Sequence, residues 1–281
     1  MSIYINSNSA SLQAQRNLGN AQTALASNLS HLSSGLRITH AADDAAGLGI
    51  SEQMKANIAS YDQAGRNAND GVSMIQVAEG AMGQQAGILT RLRELATQSA
   101  NGTLGTTDRT YIDNEAKELL GELDRISSVT DFNGTKMLGA NSGSISMQVD
   151  LGATSNDTIS VTFAKTDSTT LGVKYGTGND VDLTTSTGAT TALGKIDAAI
   201  AKLSGDRATL GASQNRLMIT INNLSNASQN LQDAQGRIAN VDVASETAAM
   251  TRNQILQQAG VAVLAQANQL PSAALSLLGG R

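Results

Sequence analysis

The most regular feature of the chain is a hydrophobic residue at every seventh position between 196 and 238, without an interruption. The series consists of Ile196, Leu203, Leu210, Leu217, Leu224, Leu231 and Ile238. This spacing keeps one side of a long α-helix against a partner helix, as in a coiled coil. We therefore predict a long helix here, with these seven side chains on a seam that serves self-assembly.

A second pattern, with alternating steps of four and three residues, runs through the N-terminal half. Its positions are Met54, Ile58, Tyr61, Gly65, Ala68, Val72, Ile75, Glu79, Met82, Ala86 and Leu89. Only Gly65 and Glu79 depart from the hydrophobic pattern. It predicts a helix over about residues 50–99, followed by a shorter one that ends near Ser128. Long helices from the two halves are expected to fold back on each other.

The two ends of the chain predict helices that carry almost no charge. Over residues 5–36, Leu18, Leu25 and Leu32 are seven apart and define a second self-assembly seam. The ionised side chains before residue 43 are Arg16 and Arg37, and residues 253–280 contain none. A solvated helix normally has a charged face. We therefore expect both ends to be mobile in the monomer and ordered only when neighbouring subunits cover them.

The middle of the chain follows a different period. Hydrophobic residues alternate with others at 145–151, 159–163 and 171–175, which predicts three short, half-buried strands. The segment 131–135 predicts a turn. The predicted fold is mainly α, with long antiparallel coiled-coil-like helices from both chain ends and a small β-hairpin-rich module at about residues 140–193.

Composition and charge narrow the possible function classes. The 281 residues include no Trp, two Phe and four Tyr, less aromatic mass than a compact enzyme core usually contains. The net charge of -5 and the scattered basic residues give no footprint for nucleic acid or an anionic membrane. With two histidines, no cysteine and no nucleotide- or metal-binding motif, we expect no enzyme activity, cofactor or metal site.

Two local features of the predicted helix at about 50–99 need an explanation. Gly71, Gly80, Gly83 and Gly87 lie within it, and each costs about 0.5–1 kcal/mol relative to alanine. We favour close approach of neighbouring helices as the reason.

Arg91, Arg93 and Glu94 also lie close together in this predicted helix. Their charges alone favour a solvated, salt-bridged face over an anion site.

Several segments at both ends resemble bacterial flagellin. In the N-terminal half they are Leu32–Ile38, Asp43–Leu48, Arg66–Gly71, Ala78–Ala81 and Arg93–Gly102; in the C-terminal half they are Gln254–Gly260 and Leu264–Pro271. The resemblance implies a structural subunit that self-polymerises into the flagellar filament, the helical propeller for motility. It further implies export through the flagellar type III channel and an extracellular location.

The resemblance also implies a division into domains. Residues of about 1–42 and 239–281 would be the inner-core terminal helices, and about 43–238 the outer-core helical rod with its β-rich module. About fifty residues in the middle leave no room for the large outer domains of many flagellins, so we expect a short form. A hook-filament junction protein of the same organelle, or a minor flagellin, is the alternative.

The partners that the resemblance implies are other copies of the chain, the flagellar cap, the hook-filament junction proteins and a type III export chaperone on the C-terminal helices. Recognition by the vertebrate innate receptor TLR5 is implied by a pattern that Arg91, Arg93, Glu94, Leu95 and Glu115 match. A lipid-coating helical protein would need apolar faces flanked by Lys or Arg, which the termini lack. An enzyme inserted in the short middle would need catalytic motifs that are absent.

Overall fold

The structure is a computed structural model that describes residues 7–140, 142–152, 154–175 and 181–279, with side chains described up to residue 269. The helices are α1 (Ser9–Ser34), α2 (Ala45–Ala100), α3 (Thr106–Val129), α4 (Ser168–Leu171), α5 (Ser186–Ala239) and α6 (Val243–Gly279). The strands are β1 (Asp131–Phe132), β2 (Thr135–Lys136), β3 (Ser144–Gln148) and β4 (Thr158–Thr162). The predicted mainly α fold with small β-hairpins in the middle is confirmed.

The chain divides into two units. The terminal unit takes in Met1–Ala56 and Asn230–Arg281, and the central unit takes in Asn57–Gln229. The long helices α2 and α5 each contribute residues to both units. The domain boundaries after residues 42 and 238 concern the assembled filament and stay a prediction.

In the terminal unit, α1 packs antiparallel against α6. Asn8 caps the start of α1 by accepting a hydrogen bond from the Ser11 backbone N–H at 3.0 Å, and its side-chain amide donates to the Ala267 carbonyl at 2.8 Å. Nearer the other end, Asn253 donates to Asn28 at 3.1 Å. Gly35, with φ +73°, ends α1 in the left-handed conformation that favours glycine. The predicted helix over residues 5–36 is thus found from residue 9, and Ile5 lies outside the described residues.

A backbone pairing closes the terminal unit beyond α1. The Arg37 N–H donates to the Ala239 carbonyl at 2.7 Å, and the Val241 N–H donates to the Gly35 carbonyl at 3.0 Å. The connecting turn (residues 35–44) therefore lies beside the short link between α5 and α6. Within this turn, the Asp44 carboxylate accepts a hydrogen bond from the Gly47 N–H at 2.8 Å and so caps the first turn of α2.

The central unit holds the hydrophobic core. The twelve largest fully buried side chains that the structure describes, among them Phe163, Leu92 and Ile196, all belong to it. They come from α2, α3, α5 and the β-rich middle. Among the described residues, none of the helices has the combined length and hydrophobicity that a membrane span requires.

Two hairpins form the β structure that is described for the middle of the chain. The first places Asn133 and Gly134 at φ +48° and +81°, the backbone of a tight two-residue turn between β1 and β2, as predicted for this segment. The second pairs β3 with β4 antiparallel, from Ser144 opposite Thr162 to Gln148 opposite Thr158.

The third predicted strand, at 171–175, is wrong. Residues 168–171 form the short helix α4, because Asp167 accepts a hydrogen bond from the Thr170 N–H at 3.3 Å and Gly172, with φ +74°, ends the turn. Leu171 and Val173 are nevertheless buried. The alternation therefore reported burial correctly but not the backbone conformation.

Close packing explains one of the four glycines of α2 named above. A Cβ on Gly71 would overlap the Met147 sulfur and lie 3.2 Å from Leu217 Cδ1. At Gly80, Gly83 and Gly87 a Cβ would have no atom within 4 Å, so close packing within the subunit does not explain these three glycines. The structure offers no packing reason within one subunit for these three glycines.

This contrast predicts opposite effects of two alanine substitutions on monomer stability. Gly80→Ala should raise the free energy of unfolding by about 0.5–1 kcal/mol, since it improves helix propensity in open space. Gly71→Ala should lower it by about 1–3 kcal/mol through overpacking against Met147 and Leu217. Urea unfolding followed by circular dichroism measures both. Shifts of the same sign would contradict the packing described for α2.

Candidate self-assembly and receptor surfaces

The face of α1 that meets α6 is built from small and polar side chains. Its buried residues are Ser11, Ala14, Ala21 and Asn28. The predicted seam residues Leu18, Leu25 and Leu32 lie beside this stripe and are half-buried. The antiparallel partner approaches closely enough for a Cβ on Gly260 to lie 3.5 Å from Leu18 Cδ1. The pair therefore has close backbones but little buried apolar volume.

Large hydrophobic side chains of the terminal unit remain exposed. Those that are more than half exposed include Leu12, Leu29, Val243, Ile255, Leu256, Val261 and Val263. Among the described side chains of this unit, Ile38 is the one large hydrophobic residue that is buried. Many exposed large hydrophobic side chains in one small unit are typical of a surface that meets a partner. The terminal unit thus presents large apolar side chains that the described part of its own chain leaves uncovered.

The predicted seam of α5 has two parts. Ile196, Leu203, Leu210, Leu217 and Leu224 are 0–7% exposed and belong to the core of the central unit. The last two positions, Leu231 and Ile238, belong to the terminal unit and are half-buried. In this structure the first five side chains pack within the chain itself, and only the last two keep surface that a second subunit could contact.

A cluster of charged side chains surrounds the end of α1. His31 Nδ1 lies 3.0 Å from Glu246 Oε1 of α6, and His31 Nε2 lies 3.8 Å from Asp43 Oδ2 of the connecting turn. Backbone N–H groups of His40 and Thr39 also donate to Asp43 Oδ2, at 2.8 and 2.9 Å. These two hydrogen bonds, in that order, lower the Asp43 pKa to about 2.

The residues of the receptor pattern separate into surface and core positions. Arg91 Nη2 lies 2.8 Å from Glu115 Oε1 of α3, and Arg91 Nη1 lies 3.0 Å from Glu94 Oε2. The hydrogen bonds to Glu115 and Glu94 raise the pKa of the Arg91 guanidinium. Arg93 Nε lies 2.6 Å from Asp197 Oδ1 of α5. Leu95 is 1% exposed, so it belongs to the core beneath this face.

Sequence reasoning missed several partners that complete these surfaces. Asp197 lies directly after the seam residue Ile196, and its negative charge was the available signal for the pair with Arg93. The hydrogen-bonded amides Asn28 and Asn253 were also missed. Asn28 follows Ala14 and Ala21 at heptad spacing, which marks it as a seam position. In the described part of the chain, no group of three or more His, Asp or Glu side chains is arranged to hold a metal ion.

Comparison with known proteins places both ends of the chain in one family. The bacterial flagellin N-terminal helical region matches residues 5–142, and the bacterial flagellin C-terminal helical region matches residues 193–278. A flagellin of Halalkalibacterium halodurans is 44% identical over 276 residues, which cover 98% of this chain and 100% of that relative. The flagellar filament 33 kDa core protein of Treponema phagedenis is 42% identical over 285 residues, with 98% and 100% covered.

A solved structure shares the fold at lower identity. The putative flagellar hook-associated protein from Vibrio parahaemolyticus has a TM-score of 0.55 at 16% identity, with 70% of this chain and 100% of that chain covered. At this identity the likeness shows a common fold. Both ends of the chain match the family, and a relative of similar length matches along 98% of it. The chain therefore belongs to the bacterial flagellin family.

Proposed function

We propose that this flagellin polymerises through the exposed apolar surface of its terminal unit. Flagellins are structural filament proteins, so the chain is a filament subunit and not an enzyme. The observation that carries the proposal is the 52–60% exposure of large side chains such as Leu29, Ile255 and Leu256, in a unit whose described side chains form almost no core. Burial of this surface between subunits would supply the missing hydrophobic stabilisation.

The energy balance supports this assignment. Ordering a residue costs about 1–2 kcal/mol of backbone entropy, while complete burial of a leucine contributes about 1.5–3 kcal/mol. The α1–α6 pair covers mostly alanine, serine and asparagine, and leaves the leucines whose side chains are described half-covered or open. Neighbouring copies that complete the burial of these leucines would therefore order the terminal helices.

The family relationship favours a filament subunit over a hook-filament junction protein. The relatives that match along 98% of this chain are flagellins and a filament core protein. The likeness to a putative hook-associated protein is one of fold alone. The main prediction therefore takes precedence over the junction alternative.

Export and extracellular location are part of the proposal. The match of both ends of the chain to flagellin supports passage through the flagellar type III channel before assembly. We assign the cap and the hook-filament junction proteins as assembly partners. A type III export chaperone would cover the apolar α6 surface, including Val261 and Val263, before export.

Receptor recognition would use the exposed side of α2 and α3. Arg91, Glu94 and Glu115 have side chains 47–62% exposed and form one connected ion-pair group. Arginine is frequent among residues that dominate binding energy. TLR5 would contact this group, with Leu95 supporting it from the core.

The assembly proposal predicts that polar substitutions on α1 and α6 block polymerisation without unfolding the chain. Leu29→Gln and Leu256→Gln should each raise the critical concentration for filament growth at least ten-fold, a loss of about 1.4 kcal/mol per subunit. Sedimentation after seeding measures it. Gln258→Ala, on an exposed polar position of α6, is the matched control and should polymerise normally.

Removal of residues 1–36 is the stronger form of the same test. The truncated chain should form no filament and should keep the cooperative unfolding transition of the central unit. Filaments from this truncated chain, or normal growth of both leucine variants, would contradict the proposed surface.

The receptor proposal predicts that Arg91→Ala weakens activation of TLR5-expressing cells by soluble protein about ten-fold or more, because an arginine hot spot is removed. Arg125→Ala is the matched control, since Arg125 makes a similar exposed pair with Glu122 at 2.7 Å. A reporter assay over a concentration series measures the potency. Equal loss for both variants, or none for Arg91→Ala, would exclude this face.

A further inference from the structure

Both histidines of the chain lie next to the same carboxylate. Asp43 Oδ2 is 3.8 Å from His31 Nε2 and 3.8 Å from His40 Nδ1. The opposite edge of the His31 ring faces α6, where Nδ1 is 3.0 Å from Glu246 Oε1. His31 therefore lies between two carboxylates from two elements, the connecting turn and α6.

The surroundings of the two imidazoles differ. The side chains of His31, Glu246 and Asp43 are 16%, 20% and 26% exposed, whereas that of His40 is 73% exposed. His31 Nε2 is buried and has no hydrogen-bond partner among the described residues. Charge interactions of His31 are thus less screened by water than those of His40.

The protonation state of His31 decides how many carboxylates it can hold. A protonated imidazole has two N–H donors, whereas a neutral one has a single donor. With His31 protonated, Nδ1–H serves Glu246 and Nε2–H faces Asp43. His31 also lies in the last turn of α1, where the helix dipole favours a positive charge. In the neutral state, one of the two carboxylates loses its partner on this ring.

The charged groups Arg37, Asp44 and Asp242, in the connecting turn and at the start of α6, have partners of their own. Arg37 donates to the Ile238 carbonyl at 2.7 Å and lies 3.7 Å from Asp44. Asp242 accepts from the Ala244 N–H at 3.0 Å at the start of α6. Asp43, with its pKa lowered to about 2 mainly by the His40 and Thr39 N–H groups, stays ionised throughout the imidazole titration range.

We propose that His31 is a pH-sensitive latch, which holds the connecting turn to α6 when its imidazole is protonated and releases one side when it is neutral. The charged ring offers an N–H to each of the two carboxylates, whereas the neutral ring has one donor for both of them. This is a regulation of the proposed assembly surface and rests on that proposed function, because the latch joins its two helices.

The test compares critical concentrations of the full-length chain at about pH 5.5 and about pH 8, at one ionic strength. Wild type should require about two- to five-fold more protein at the higher pH, the range for partly exposed ion pairs. His31→Gln, which cannot be charged, should lose the pH dependence. His31→Arg, which is always charged, should polymerise equally well at both pH values. His40→Gln is the matched control and should behave as wild type.

The outcomes separate the latch from the assembly proposal. Filaments with a pH-independent critical concentration, or a pH response that survives in His31→Gln, would overturn the latch and leave the assembly surface intact. Failure of the wild-type chain to polymerise at either pH would overturn the assembly proposal. The latch would then be tested by urea unfolding of wild type, His31→Gln, His31→Arg and His40→Gln at both pH values. A lower unfolding midpoint at high pH in wild type and His40→Gln alone would support the latch. Equal shifts of the midpoint in all four proteins would contradict it.

Discussion

Apart from Ile38, the large buried side chains that the structure describes all lie in the central unit, and this uneven distribution determines how the terminal unit can be stabilised. The central unit encloses residues such as Phe163, Leu92 and Leu203, whereas the described part of the terminal unit buries Ile38 as its one large hydrophobic side chain. Stability of a small unit comes mainly from apolar area removed from water. We therefore propose that this pair of helices, which covers mainly small side chains, depends on neighbouring subunits to cover its leucines.

Much of this arrangement could be predicted from the sequence, because the heptad pattern directly reports burial along a long helix. The seam from Ile196 to Leu224 and the almost uncharged ends led to the right fold class. The pattern could not show that most of this seam packs within one subunit. Intrachain and interchain helix contacts use the same spacing.

Other features depend on local geometry, which the spacing of hydrophobic residues along the sequence does not report. The alternation at 171–175 predicted burial but not α4, whose start depends on the Asp167 cap. Glycines at 71 and 80 look alike in sequence, yet only Gly71 has a neighbour within contact distance. The partners of His31 lie 12 and 215 positions away along the chain, and their convergence appears only in the folded terminal unit.

Hydrogen–deuterium exchange of the full-length chain, as monomer and as filament, tests most directly whether neighbouring subunits order the terminal helices. Backbone amides of α1 and of the described part of α6 should exchange rapidly in the monomer and slowly in the filament, because only the filament buries their apolar faces. Amides of the central unit, such as those around Leu92 and Leu203, should be protected in both. Equal protection of α1 in monomer and filament would contradict this dependence on neighbouring subunits.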